Sequence, residues 1–167
     1  MNNSYLRTLI ATAIIIALQV WVFNPMAIFR LATPMIYPML LFLVPMSRGP
    51  IALTIYGFVI GSLIDYFGFT PGLHATAMTL TAFVRYYFVQ ISIDAQDNIE
   101  LLPMPSTLGS RSYILLAEIL LVHHLVLYLL SSGLHADILY SLSRAVAGYL
   151  ASYILATMAL LGIGLRP

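Results

Sequence analysis

The chain has 167 residues, of which 61% are hydrophobic and only 8% charged, with a mean hydropathy of +0.96. A soluble domain carries about 25% charged residues, so this composition excludes one and specifies an integral membrane protein. All seven basic residues are arginine, the net charge is +1 and cysteine is absent. That excludes a polybasic patch for nucleic acid or anionic lipid, and with it disulfides, thiolate chemistry and cysteine-ligated metals.

A spanning helix needs roughly 20 apolar residues, so the length accommodates about six spans with short connections and no separate soluble domain. Apolar runs between polar or Pro/Gly breaks place them near 6–23, 31–46, 50–67, 72–90, 112–132 and 137–163. The expectation is a single all-α transmembrane domain over residues 1–167.

In the first run, Arg7 precedes an apolar stretch to Val22 in the manner of a signal peptide, but no Ala-x-Ala-like site follows. Trp21 and Phe23 sit where an interfacial aromatic belt ends a helix, and the run is read as an uncleaved span. The second run is interrupted by Pro34, Pro38 and Pro45. It is expected to be broken or tilted, with its freed carbonyls covered by neighbouring helices.

The third run holds Gly57, Gly61 and Asp65 at four-residue spacing, which stacks them on one helix face. Small residues there admit another helix closely, either from this chain or from a partner. A carboxylate near a bilayer centre costs on the order of 2.5–3.5 kcal/mol and normally has a partner. Asp65 is followed by Gly68 and by Pro71-Gly72-Leu73-His74, which places Asp65 and His74 at one tight turn. On the fourth run His74, Met78, Thr81 and Arg85 share a face. An Asp65–His74 hydrogen bond is expected, either as a structural staple or in a proton-linked or ligand-contacting role.

The long connection at 91–110 carries Asp94, Asp97 and Glu100. It is expected to be cytoplasmic and to rest on the headgroup layer through Ile91, Ile93, Ile99, Leu101, Leu102 and Met104. In the fifth run Glu118 precedes His123 and His124 by five and six residues. Neither imidazole stacks over the carboxylate, and the set falls short of the convergent ligands a metal needs. The sixth run aligns Arg144, Gly148, Ser152 and Ala156 on a second smooth face. Arg144 is the expected counter-charge for Asp65, and Arg85 for Glu118.

Six spans put Arg7, Arg48, Arg85, Arg111 and Arg166 on or near one side and Arg30 and Arg144 on the other. The positive-inside rule then makes both termini cytoplasmic. No His-Glu-x-x-His, Gly-x-Ser-x-Gly, phosphate-loop or dinucleotide signature is present. An enzyme is not expected, nor a cofactor.

Leu18-Gln19-Val20 with Phe23-Asn24, Pro34-Met35-Ile36-Tyr37-Pro38 with Leu43-Val44-Pro45, Gly57 to Asp65 followed by Gly72-Leu73-His74-Ala75, Arg85 and His123-His124 resemble the rod shape-determining membrane protein MreD. The likeness covers nearly the whole chain and is most specific from Gly57 to Arg85. It implies a six-span protein of the bacterial inner membrane, similar in fold to the substrate-binding subunits of energy-coupling-factor vitamin transporters. It also implies a non-catalytic scaffold or regulator of lateral peptidoglycan synthesis. The implied partners are an MreC-like protein and a RodA-type glycosyltransferase with its penicillin-binding transpeptidase, with MreB filaments reached indirectly. The helix faces around Gly57 to Asp65 and Arg144 to Ala156 are the expected docking surfaces for a partner's span.

Two other readings stay open. A vitamin- or metal-capture subunit would use Ala13 and Ala17 to meet a coupling protein, and Asn24, Arg30, His74, His135 and Asp137 are its few candidate outer contacts. Proton or ion translocation would run through Asp65, His74, Arg144 and Glu118, but no duplicated half with paired broken helices is visible.

Overall fold

The computed structural model describes residues 3–26, 33–132 and 137–164, and every described element is helical. Helix α1 (Asn3–Leu18) widens into a π turn over Gln19–Phe23, closed by the Asn24 N–H donating to the Gln19 carbonyl five residues back at 2.8 Å. A short helix α2 (Met39–Phe42) follows, then α3 (Pro50–Gly68), α4 (Leu73–Ser92), a single turn α5 (Pro105–Leu108), α6 (Arg111–Ser132) and α7 (Ile138–Gly164).

Three of these, α3, α6 and α7, are long and apolar enough to cross a membrane, and Leu9–Phe23 forms a shorter apolar helix. Helix α4 matches them with 20 residues, about 30 Å at 1.5 Å per residue. It carries His74, Thr76, Thr79, Thr81, Arg85 and Gln90, which lower its hydropathy. The chain is therefore a helical membrane protein by composition and architecture.

The second run near 31–46 is broken, as its prolines lead one to expect, and runs from Thr33 beside Asn24 and Arg144 at one end of the bundle to Met46 and Ser47 against Leu101 and Ile99 at the other. Residues 31 and 32 lie outside the described residues, and from Thr33 onward the only helix is the four-residue α2. Pro34, Pro38 and Pro45 lack the N–H groups that a continuous ladder requires. The segment instead forms a plug in the bundle core, where Tyr37, Leu40, Leu41, Phe42 and Met46 are essentially inaccessible.

Helix α3 starts on Pro50, whose missing N–H is an orphan at that position anyway, and stops where Phe69 turns left-handed at φ 53°. Gly72, at φ 81°, then opens α4. These two residues reverse the chain in a four-residue turn and set α3 and α4 against one another along their length. Helices α6 and α7 form the second hairpin, and α4 against α6 joins the two.

At one end of the bundle the 93–110 connection is tied down. Leu101 and Ile99 carbonyls accept from the Met46 and Ser47 N–H groups at 3.1 and 2.8 Å. Arg111 donates to the Ser92 carbonyl and to Asp94, both at 2.8 Å, and pairs with Asp97 at 3.1 Å. Ile91, Ile99 and Leu101 are exposed, while Leu108 is buried. The other face of the bundle is apolar: Leu142, Val146, Leu150, Ile154 and Met158 form an exposed stripe along α7, matched on α3 by Ile51, Ile55, Val59 and Leu63.

Candidate functional site

Asp65, 7% exposed, stands at the last turn of α3, and its partner is a helix end. One carboxylate oxygen accepts from the His74 backbone N–H at 2.9 Å and from the Thr70 hydroxyl at 2.9 Å; the other accepts from the Ala75 N–H at 2.8 Å. These amides belong to the first turn of α4, where four N–H groups lack partners within the helix. A carboxylate there also meets the positive end of the helix dipole. Asp65 thus caps α4 from outside it, the task an N-cap side chain ordinarily performs from Gly72's position.

The expected Asp65–His74 side-chain bond is therefore corrected: Asp65 binds the main chain of His74, and the imidazole turns elsewhere. Its Nδ1 meets the Tyr37 hydroxyl at 2.7 Å, and the same hydroxyl meets His123 Nε2 at 2.5 Å. One phenolic proton lies between two imidazole nitrogens, so one ring must donate to the oxygen while the other accepts from it. Both rings stand edge-on to Tyr37, at centroid separations of 5.7 and 5.0 Å.

His124 serves a second cluster. Its Nδ1 donates to the Leu120 carbonyl at 2.7 Å and its Nε2 lies 3.0 Å from Ser152 Oγ. Ser152 donates to the Gly148 carbonyl and accepts from the Met35 N–H at 2.8 Å. On the other side of the plug, Gln19 accepts from the Ile36 N–H at 2.7 Å and donates to the Pro34 carbonyl at 3.1 Å and to Asn24 at 2.9 Å. Non-helical backbone at membrane depth survives only where protein satisfies it. Gln19 and Ser152 do that for the proline segment.

Arg85 is wholly buried and donates through Nη2 to the Val44 carbonyl; its Nε and Nη1 have no hydrogen-bond partner among the described residues. Glu118 is half-buried, with one oxygen likewise unpartnered. The expected Arg85–Glu118 ion pair is not formed, because the guanidinium is drawn to a carbonyl of the irregular segment. Nor does Arg144 pair with Asp65, whose oxygens are already engaged at α4. The Arg144 guanidinium lies instead over the Tyr128 and Tyr140 rings, 5.2 and 5.8 Å from their centroids.

Both expected docking faces turn inward. A Cβ on Gly57 would stand 2.6 Å from the Met78 carbonyl oxygen, and one on Gly61 would stand 2.5 Å from Ala75 Cα and from the His74 carbonyl oxygen. The groove on α3 is filled by α4 of the same chain, so the intramolecular alternative holds. A Cβ on Gly148 would stand 3.0 Å from the Tyr128 hydroxyl, and Ser152 and Ala156 are buried beside it. That face of α7 packs on α6. Arg30, His135 and Arg166 lie outside the described residues.

Sequence reasoning passed over Gln19, Tyr37 and Thr70 as site members, and placed Ser152 only on a smooth docking face. Each is a polar side chain in an apolar stretch, the signal that marks intramembrane functional or structural positions.

No family model, curated protein or solved structure matches the chain.

Proposed function

We propose that the chain is a non-catalytic membrane scaffold of the MreD type, acting in the bacterial inner membrane with both termini cytoplasmic. In this reading it organises lateral wall synthesis through an MreC-like protein and a RodA-type glycosyltransferase with its transpeptidase. The observation that carries this reading is where the resemblance residues fall. Gln19, Asn24, Pro34, Tyr37, Asp65, His74, Arg85, His123 and His124 lie in or beside the buried polar contacts that join the plug to α1, α4 and α6. A motif used to hold a fold together, and not to line a reaction centre, suits a protein that works by presenting surfaces. Partner spans then reach it through the exposed apolar stripes of α3 and α7, since the glycine faces are occupied internally. The six-span count and the likeness to vitamin-capture subunits belong to this proposal.

The test is affinity purification of the tagged chain in mild detergent, with mass spectrometry of copurifying proteins and extracted small molecules. The scaffold reading expects an MreC-like protein and wall-synthesis enzymes in the eluate. An ATPase module with a bound vitamin in their place would overturn it and make the chain a transporter subunit.

A further inference from the structure

Arg144 enters six residues after the first residue of α7, about 9 Å along the helix at 1.5 Å per residue. Its Nε is buried without a hydrogen-bond partner. A cation within a spanning helix ordinarily has a counter-charge, yet the ion pairs among the described residues gather at Arg111, at the opposite end of the bundle. Asp65 is committed to α4.

Beside Arg144 opens a cavity of about 270 Å³, bordered by Asn24, Thr70, His74, Tyr128 and Ser131, with no carboxylate among the described residues of its wall. It lies where α3 ends and α4 begins. Its hydroxyl protons are partly engaged: Thr70 donates to Asp65, and Ser131 to the Tyr128 carbonyl. Asn24 accepts through Oδ1 from Gln19, which leaves its amide N–H groups as donors. When Tyr37 donates to His74 Nδ1, the proton of that ring sits on Nε2. A guanidinium, an amide and an imidazole N–H, with no acid among the described residues of the wall, select an acceptor-only, negatively charged group. Guanidinium recognises phosphate through paired N–H···O bonds.

We propose that this cavity binds a phosphate group, with Arg144 as its counter-ion. The group belongs either to a lipid headgroup or to a soluble phosphate ester. The inference is independent of the scaffold reading, which fails or stands on copurifying proteins.

The experiment uses the full chain in a nonionic detergent, with thermal unfolding followed in two titrations. One adds inorganic phosphate against chloride at matched ionic strength; the other adds dihexanoyl phosphatidylglycerol against dihexanoylglycerol. The expected result is a rise in Tm that saturates, with half-saturation shifted about tenfold or more in Arg144→Gln, as loss of a charged hydrogen-bonding partner implies. Arg144→Lys keeps the charge and loses the fork, so its shift is smaller, about two- to fivefold. A response to the lipid alone assigns the headgroup; a response to inorganic phosphate as well assigns the soluble ester. No rise with either probe overturns the proposal. So does unchanged half-saturation in Arg144→Gln or, if that variant does not fold, in Arg144→Lys.

Discussion

Replacing Asp65 with alanine removes the acceptor of three hydrogen bonds, from the Thr70 hydroxyl and from the His74 and Ala75 amides. The hydroxyl can rotate to another acceptor, but the two amides are fixed in the first turn of α4 behind a side chain that is itself 7% exposed. A stranded buried N–H costs about 1–3 kcal/mol, so the variant should lose about 2–6 kcal/mol in all. Exposed cap deletions, by contrast, cost about 0.5–2 kcal/mol. Asparagine keeps one acceptor oxygen and turns an N–H₂ toward the second amide, so Asp65→Asn should fall between wild type and alanine. Unfolding in mixed micelles, titrated with a denaturing detergent and followed by helical circular dichroism, should rank wild type above Asp65→Asn above Asp65→Ala. An alanine variant within about 0.5 kcal/mol of wild type, the range of substitutions that touch nothing, would refute the capping role.

Gly61→Ala should lower the unfolding midpoint in the same assay by about 1–3 kcal/mol, the cost of overpacking, because the new Cβ meets backbone atoms of α4 at 2.5 Å. Insertion itself, read by membrane fractionation, should persist. Tyr37→Phe keeps the ring and strips the hydroxyl from between His74 and His123; with two buried imidazole nitrogens left unpaired it should be destabilised by about 1–3 kcal/mol. Arg111→Ala should scarcely move the midpoint, since pairs as exposed as Arg111–Asp94 contribute about 0–1 kcal/mol. It should nonetheless speed proteolysis within 93–110, where Arg111 holds both Ser92 and Asp94.

The long helices were legible because hydrophobic runs of spanning length leave the chain few alternatives. The ends of α3 and α4 could be read from Pro50, Gly68 and Gly72, residues whose backbone preferences are local. The polar contacts were not legible in the same way. Asp65 was correctly singled out as a costly group needing a partner, but its sequence neighbours offered a histidine and its fold neighbours offered a helix end. Nothing local distinguishes the His74 imidazole from the His74 amide. The pairings of Arg85 with Glu118 and Arg144 with Asp65 rested on matching charges at similar depth. In the structure a carbonyl freed by the proline segment and a pair of tyrosine rings compete successfully for the two guanidinium groups. The glycine faces were recognisable as places of close approach. Whether the approaching helix is native or foreign depends on tertiary contacts that spacing does not encode.

The bond from the Met35 amide to the Ser152 hydroxyl joins residues 117 positions apart. At roughly 5–20 residues per second, the ribosome needs about 6–23 seconds after Met35 emerges before its acceptor exists. During that interval the proline segment has no acceptor in α7 for this amide, and His124, which also meets Ser152, waits as well. The last helix is therefore a latch on the first third of the molecule, and a nascent chain cut short before it should be a ready target for membrane quality-control proteases.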